Sequence, residues 1–128
     1  MFTLAQIDSI HDRLGSANTL FEYVRALNAI GVEKVDSYVA DGHSEYFGKH
    51  GHKVISPAAY KTLTVAQTSN RESLLKHLAL HNQGKTSYIE MSEGLADSGT
   101  EKWTVDTNKA TMTFYDTAGN EMRSEAIQ

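Results

Sequence analysis

The sequence predicts an α+β fold made of two consecutive helix–helix–three-strand units. Three observations carry this. Helical periodicity is confined to two pairs of segments, each pair is followed by short alternating or β-branched runs, and the ααβββ order occurs twice at a constant offset. Short turns between the strands imply antiparallel neighbours, with the helices packed on one face or end of one or two sheets.

The first helix is predicted over Leu4–Leu14, with Leu4, Ile7, Ile10 and Leu14 on one side and Gly15 ending it. Thr3 and Gln6 have capping-box spacing, in which each side chain satisfies a backbone amide of the first turn. The second helix starts at Thr19 as N-cap with Glu22 three positions on. It carries Leu20, Val24 and Leu27, with Tyr23 and Ile30 beside them, and stops at Gly31. A strand is expected over residues 32–39, an Asp41-Gly42 turn, a partner strand Ser44–Phe47, a turn over 48–51 and a short strand Lys53–Ile55. Ser56-Pro57 breaks the pattern, and residues 61–67 read as loop or short strand.

The third helix follows Ser69-Asn70, with Ser69 and Glu72 at capping-box spacing; it carries Leu74, Leu75 and Leu78 and ends near Asn82, before Gly84. The fourth starts at Thr86 or Ser87, places Tyr88, Ile89, Leu95 and Ala96 on one side, and stops at Gly99. Strands over 101–106, 111–115 and Glu121–Ala126 complete the second unit.

Gly31-Val32-Glu33-Lys34-Val35 lies over Gly99-Thr100-Glu101-Lys102-Trp103, an offset of 68 residues. The same offset sets Tyr46-Phe47 on Phe114-Tyr115, Gly51 on Gly119, Val54 on Met122, Leu27 on Leu95 and Thr19 on Ser87. It also pairs Ile7 with Leu75 and Ile10 with Leu78. The expected organisation is one domain, 1–128, with pseudo-repeats at about 3–56 and 70–127 produced by internal duplication.

The 128 residues include no cysteine, which removes disulfides, thiolate metal sites and cysteine nucleophiles together. No signal-peptide pattern and no long apolar run is present, so a cytoplasmic, soluble protein without membrane attachment is expected. A net charge of −4 argues against nucleic acid as partner, despite Lys61, Arg71, Lys76 and Lys85 facing only Glu72 over residues 61–85.

The densest polar-aromatic cluster is Tyr38, Asp41, His43, Tyr46 and Lys49 around the Asp-Gly turn. A carboxylate, an imidazole and a phenol make a proton-transfer set; equally, Asp-Gly is a favoured hairpin turn and Tyr38 and Tyr46 a cross-strand pair. His77 and His81, at i and i+4 on the third helix, have metal-ligand spacing, and His50 and His52 flank a turn glycine. The residue after His77 is Leu78, not the Glu of a zinc-protease helix, and a histidine bordering an apolar stripe is more often packed than ligating. Gln83-Gly84-Lys85-Thr86 echoes the end of a phosphate loop, but Ala79 stands where the first glycine belongs and a helix, not a strand, precedes it. No serine-nucleophile motif occurs. Trp103 reads as core.

Several stretches resemble one bacterial family. They are Met1-Phe2-Thr3-Leu4, Tyr38-Val39-Ala40-Asp41-Gly42-His43, Tyr46-Phe47-Gly48-Lys49, Gln83-Gly84-Lys85-Thr86, Glu101-Lys102-Trp103 and residues 115–122. It is the YbcV/YdfO-like family (domain of unknown function 1398) of prophages and bacterial chromosomes, often labelled phage envelope protein. The resemblance covers essentially the whole chain and implies an α+β protein of unknown function, with prophage association and no assigned catalytic residues. The envelope label names no mechanism, and nothing in the residues resembles a capsid jelly roll. The sequence therefore predicts a small binding or interaction protein, with no cofactor and a protein or small molecule as partner; it allows a homo-oligomer. The rival reading is a small enzyme using His/Asp/Tyr acid–base or His–metal chemistry.

Overall fold

The computed structural model describes residues 1–15 and 19–127. The described residues form helices α1 (Leu4–Leu14), α2 (Leu20–Ala29), α3 (Arg71–Asn82) and α4 (Tyr88–Asp97). The strands are β1 (Lys34–Tyr38), β2 (Ser44–Phe47), β3 (Lys53–Ile55), β4 (Thr100–Asp106), β5 (Thr111–Asp116) and β6 (Glu121–Ala126). They make one antiparallel sheet in the order β3-β2-β1-β4-β5-β6. The fold class is α+β, and the ααβββ order runs twice along the chain.

Local chemistry sets the helix ends. Thr3 and Gln6 form the expected capping box on α1, and Ser87 and Glu90 form one on α4. On α3 the N-cap is Asn70, not Ser69: the Asn70 carboxamide accepts from the Ser73 amide at 3.0 Å. Asn70 immediately precedes the first helical residue, where a side-chain oxygen reaches the third amide; Ser69 stands one position too early. The Thr19 hydroxyl donates to the Leu14 carbonyl at 2.6 Å, tying the start of α2 to the end of α1. β1 is shorter than predicted: Val32 and Val39 are buried but lie just outside the ladder. Residues 61–67 are loop, held by the amides of Leu63 on the Ala40 carbonyl and of Ala66 on the Ala96 carbonyl.

Register decides which face is covered. Val35 stands opposite both Tyr46 and Val105, Val54 opposite Tyr46, and Phe114 opposite Trp103. These side chains share one face because strand neighbours alternate. Val35, Tyr46 and Val105 pack with Ile7, Ile10, Val24 and Leu27 of α1 and α2. Val39 and Phe114 pack with Leu74, Met91 and Leu95 of α3 and α4. Trp103 and Met112 touch both clusters, so all four helices lie on the same side of the sheet.

Positions related by 68 residues share local geometry. Gly31 and Gly99 both end a helix in left-handed backbone (φ 100° and 82°), and Gly51 and Gly119 both turn a hairpin there (φ 76° and 84°). Leu27 and Leu95 are both fully buried. At the join between the units, Asp36 pairs with Thr104.

Candidate functional site

The opposite face of the sheet carries Lys34, Asp36 and Tyr38 from β1, Glu45 and Phe47 from β2, Lys53 from β3, Lys102 and Thr104 from β4, and Tyr115 from β5, by the same alternation. Among the described residues no helix packs on this face.

At one end, the Asp41-Gly42 turn brings His43 back over Tyr38. The two rings lie flat on one another, 4.6 Å between centroids and 4° between planes. The Tyr38 amide donates to the His43 carbonyl and the Gly42 amide to the Tyr38 carbonyl, which fixes the turn. His43 Nδ1 is 2.6 Å from Asp41 Oδ1, and His43 Nε2 is 3.1 Å from Glu45 Oε2. Ionised carboxylates only accept, so bonding to both at once requires both ring nitrogens to donate, as an imidazolium does. Partial burial pulls the imidazole down, but the hydrogen bonds to Asp41 and Glu45 outweigh it and raise the His43 pKa. Asp41 is held below the usual carboxylate range by the His43 amide and then its ring; Glu45 is held below it by the His43 ring and then Lys53.

The network continues across the sheet. Glu45 Oε1 meets Lys53 Nζ at 3.0 Å, and the ammonium groups of Lys53 and Lys34 stand 5.3 and 4.5 Å from the Phe47 ring centre. Asp36, only 4% exposed, accepts from the Thr104 hydroxyl at 2.6 Å, with Lys102 at 3.5 Å and Lys34 at 3.9 Å. Lys102 also stands 5.7 Å from each of the Tyr38 and Tyr115 ring centres. A concavity of about 320 Å³ opens among Lys34, Asp36, Lys102, Thr104 and Tyr115. The result is a continuous belt of aromatic rings, each covered by a cation that is itself tied to a carboxylate.

A family model described as "Protein of unknown function (DUF1398)" matches residues 8–126, which takes in the belt, all six strands and three whole helices. The chain belongs to the DUF1398 family. No curated protein matches it.

Of the residues singled out in this DUF1398 sequence, Tyr38, Asp41 and His43 come together. Tyr46 does not join them: it is one strand position from Glu45 and therefore on the helix-covered face, buried beside Tyr23, whose phenol is pushed up by burial and then by Tyr46. Lys49 is exposed in the β2–β3 turn. The four other candidate histidines are placed separately. His50 is exposed with left-handed backbone (φ 57°). His52 donates through Nε2 to the Phe2 carbonyl at 2.8 Å and meets the Phe2 ring edge-on. His77 packs its ring against Gly94 of α4, and His81 donates through Nδ1 to the Thr86 carbonyl at 3.1 Å. Among the described residues no three His, Asp or Glu side chains converge as a metal site. None of the described helices is long and apolar enough to cross a membrane.

Sequence reasoning overlooked Glu45, although Asp41, His43 and Glu45 stand two apart, the spacing that aligns side chains along a strand. Lys53, Lys102, Thr104 and Tyr115 left no comparable signal, since register alone brings them to Asp36 and Tyr38.

Proposed function

We propose that this DUF1398 protein is a cytoplasmic, non-enzymatic binding protein that meets a polypeptide partner through the open face of its sheet. The observation that carries this is the uncovered face itself: one side of a six-stranded sheet bearing Tyr38, Phe47 and Tyr115 within a charge-paired network. Aromatic residues are enriched in protein interfaces, and complementary charge gives such surfaces their specificity.

The chemistry favours this occupant over the alternatives. Lys34, Lys53, Lys102 and His43 are nearly balanced by Asp36, Asp41 and Glu45, whereas nucleic-acid binding draws on an excess of cations. The concavity is lined mainly by charged and polar residues, several already paired with one another, whereas small-molecule sites are predominantly apolar with a few polar groups. While both of its nitrogens donate to Asp41 and Glu45, His43 offers no lone pair to act as a base or to bind a metal. The phage-envelope label has no counterpart in this chemistry and forms no part of the reading. The shared element order and the matched glycine pairs support descent of the two units from one by duplication.

A photo-reactive amino acid at Phe47 or Thr113, compared with one at Glu22 or Glu93 on the helical side, tests the surface in living cells. A discrete polypeptide adduct from the sheet positions, lost when Tyr38 and Tyr115 are both replaced by Ala, is expected. Adducts confined to the helical side, no adduct from either side, or sheet-side adducts that a nuclease removes would each overturn the reading.

A further inference from the structure

We infer that His43 is a pH-operated latch that holds the Tyr38 end of the open face. The imidazolium ties three pieces together: the turn through Asp41, strand β2 through Glu45, and strand β1 through the ring of Tyr38 stacked beneath it. Only the doubly protonated ring can donate to both carboxylates. A neutral imidazole keeps one N–H and presents a lone pair to the other carboxylate, turning one hydrogen bond into a repulsion.

The surroundings decide which contact gives way. Asp41 Oδ1 lies closer, at 2.6 Å, and also accepts from the His43 amide at 3.0 Å, so Nδ1 keeps its proton. Glu45 is farther, at 3.1 Å, and already has Lys53 of β3 at 3.0 Å as a second partner, so it is the carboxylate released. From the other elements, Lys102 of β4 faces the Tyr38 ring, and Tyr60 lies near Asp41, its amide donating to the Asp41 carbonyl at 3.3 Å. Neither replaces the Glu45 contact. Deprotonation therefore frees the Glu45 carboxylate from the His43 ring and removes the cation stacked on Tyr38, loosening that end of the belt.

The consequence for a partner rests on the proposed binding face, with tighter engagement below the His43 transition. The latch itself belongs to the chain alone and is tested without a partner. Long-range ¹H–¹⁵N spectra of the histidine rings across a pH series should show His43 protonated on both nitrogens at pH 6, then the Nδ1–H tautomer alone at higher pH. Glu45→Gln should lower the midpoint, and exchange of the Tyr38 amide, which donates to the His43 carbonyl, should accelerate above it. A neutral His43 at pH 6, a midpoint unmoved by Glu45→Gln, or unchanged Tyr38 exchange would overturn the latch. An intact latch with no sheet-side adduct would overturn the binding face alone.

Discussion

The Thr104 hydroxyl of β4 donates to the Asp36 carboxylate of β1 at 2.6 Å, across the pair of strands that joins the two halves of the sheet. These are also the two positions that the 68-residue correspondence places on each other, so the junction is held by a residue and its own counterpart. Asp36 is 4% exposed, and a carboxylate removed from water needs several donors. Lys102 and Lys34 contribute from either side, but the short bond is from Thr104.

Thr104→Val keeps the shape of the side chain and removes that bond. Hydrogen bonds to charged groups contribute about 1.5–3 kcal/mol, so a loss of that order in urea unfolding is expected. Thr104→Ser should retain most of the stability. Equal losses for both variants would show that the hydroxyl is not what holds Asp36.

Stability should depend on pH on both sides of neutrality. His43 has a raised folded-state pKa, so its contribution is complete below its ordinary value of 6.5 and is lost as pH rises through the folded value. Asp41 and Glu45 have lowered ones, so their contributions are present above 3.8 and 4.5 and are lost as pH falls through the folded values. Melting temperature measured from pH 3 to 9 should therefore fall in both directions from a plateau. His43→Gln should flatten the alkaline side; an unchanged alkaline slope in that variant would contradict the assignment.

The β2–β3 turn stores a small strain. His50 adopts φ 57° directly before Gly51 at φ 76°, the conformation that Asn-Gly turns adopt readily. Because His50 is exposed, His50→Asn should stabilise the protein by roughly 0.5–1 kcal/mol in denaturant titration.

Contact between α3 and α4 depends on the absence of a side chain at Gly94. A methyl there would overlap the His77 ring. Gly94→Ala alone should destabilise despite the better helix propensity of alanine, because the ring must move. In a His77→Ala background the same change should instead stabilise, by about 1 kcal/mol. A double-mutant cycle from thermal melts would reveal this reversal of sign, and simple additivity would refute it.

Much of the scaffold was legible before any coordinates because its signals are local. A capping box needs residues three apart, as in Thr3–Gln6 and Ser87–Glu90, and a helix stop needs one glycine, as at Gly31 and Gly99. Where two residues able to cap stand side by side, at Ser69-Asn70, spacing alone does not separate them, and it is Asn70 that caps.

The open face was a harder problem. Strand alternation separates Tyr46 from Glu45, but whether a residue faces the core or solvent depends on where the helices pack. Tyr46 looked like part of the polar cluster and is buried; Glu45 was overlooked and holds the imidazole.

The sequence by itself determined the order of elements, most helix ends, and the nearness of Tyr38, Asp41 and His43 within a wider predicted cluster, since each depends on residues close along the chain. Only the tertiary structure decided that β1 pairs with β4, that every helix lies on one side, and that Lys102, Thr104 and Tyr115 complete the belt. The physical reason is range. Periodicity and capping act over a few residues, whereas a sheet's register brings Asp36 to Thr104 across 68 positions through backbone pairing, which individual side chains do not encode.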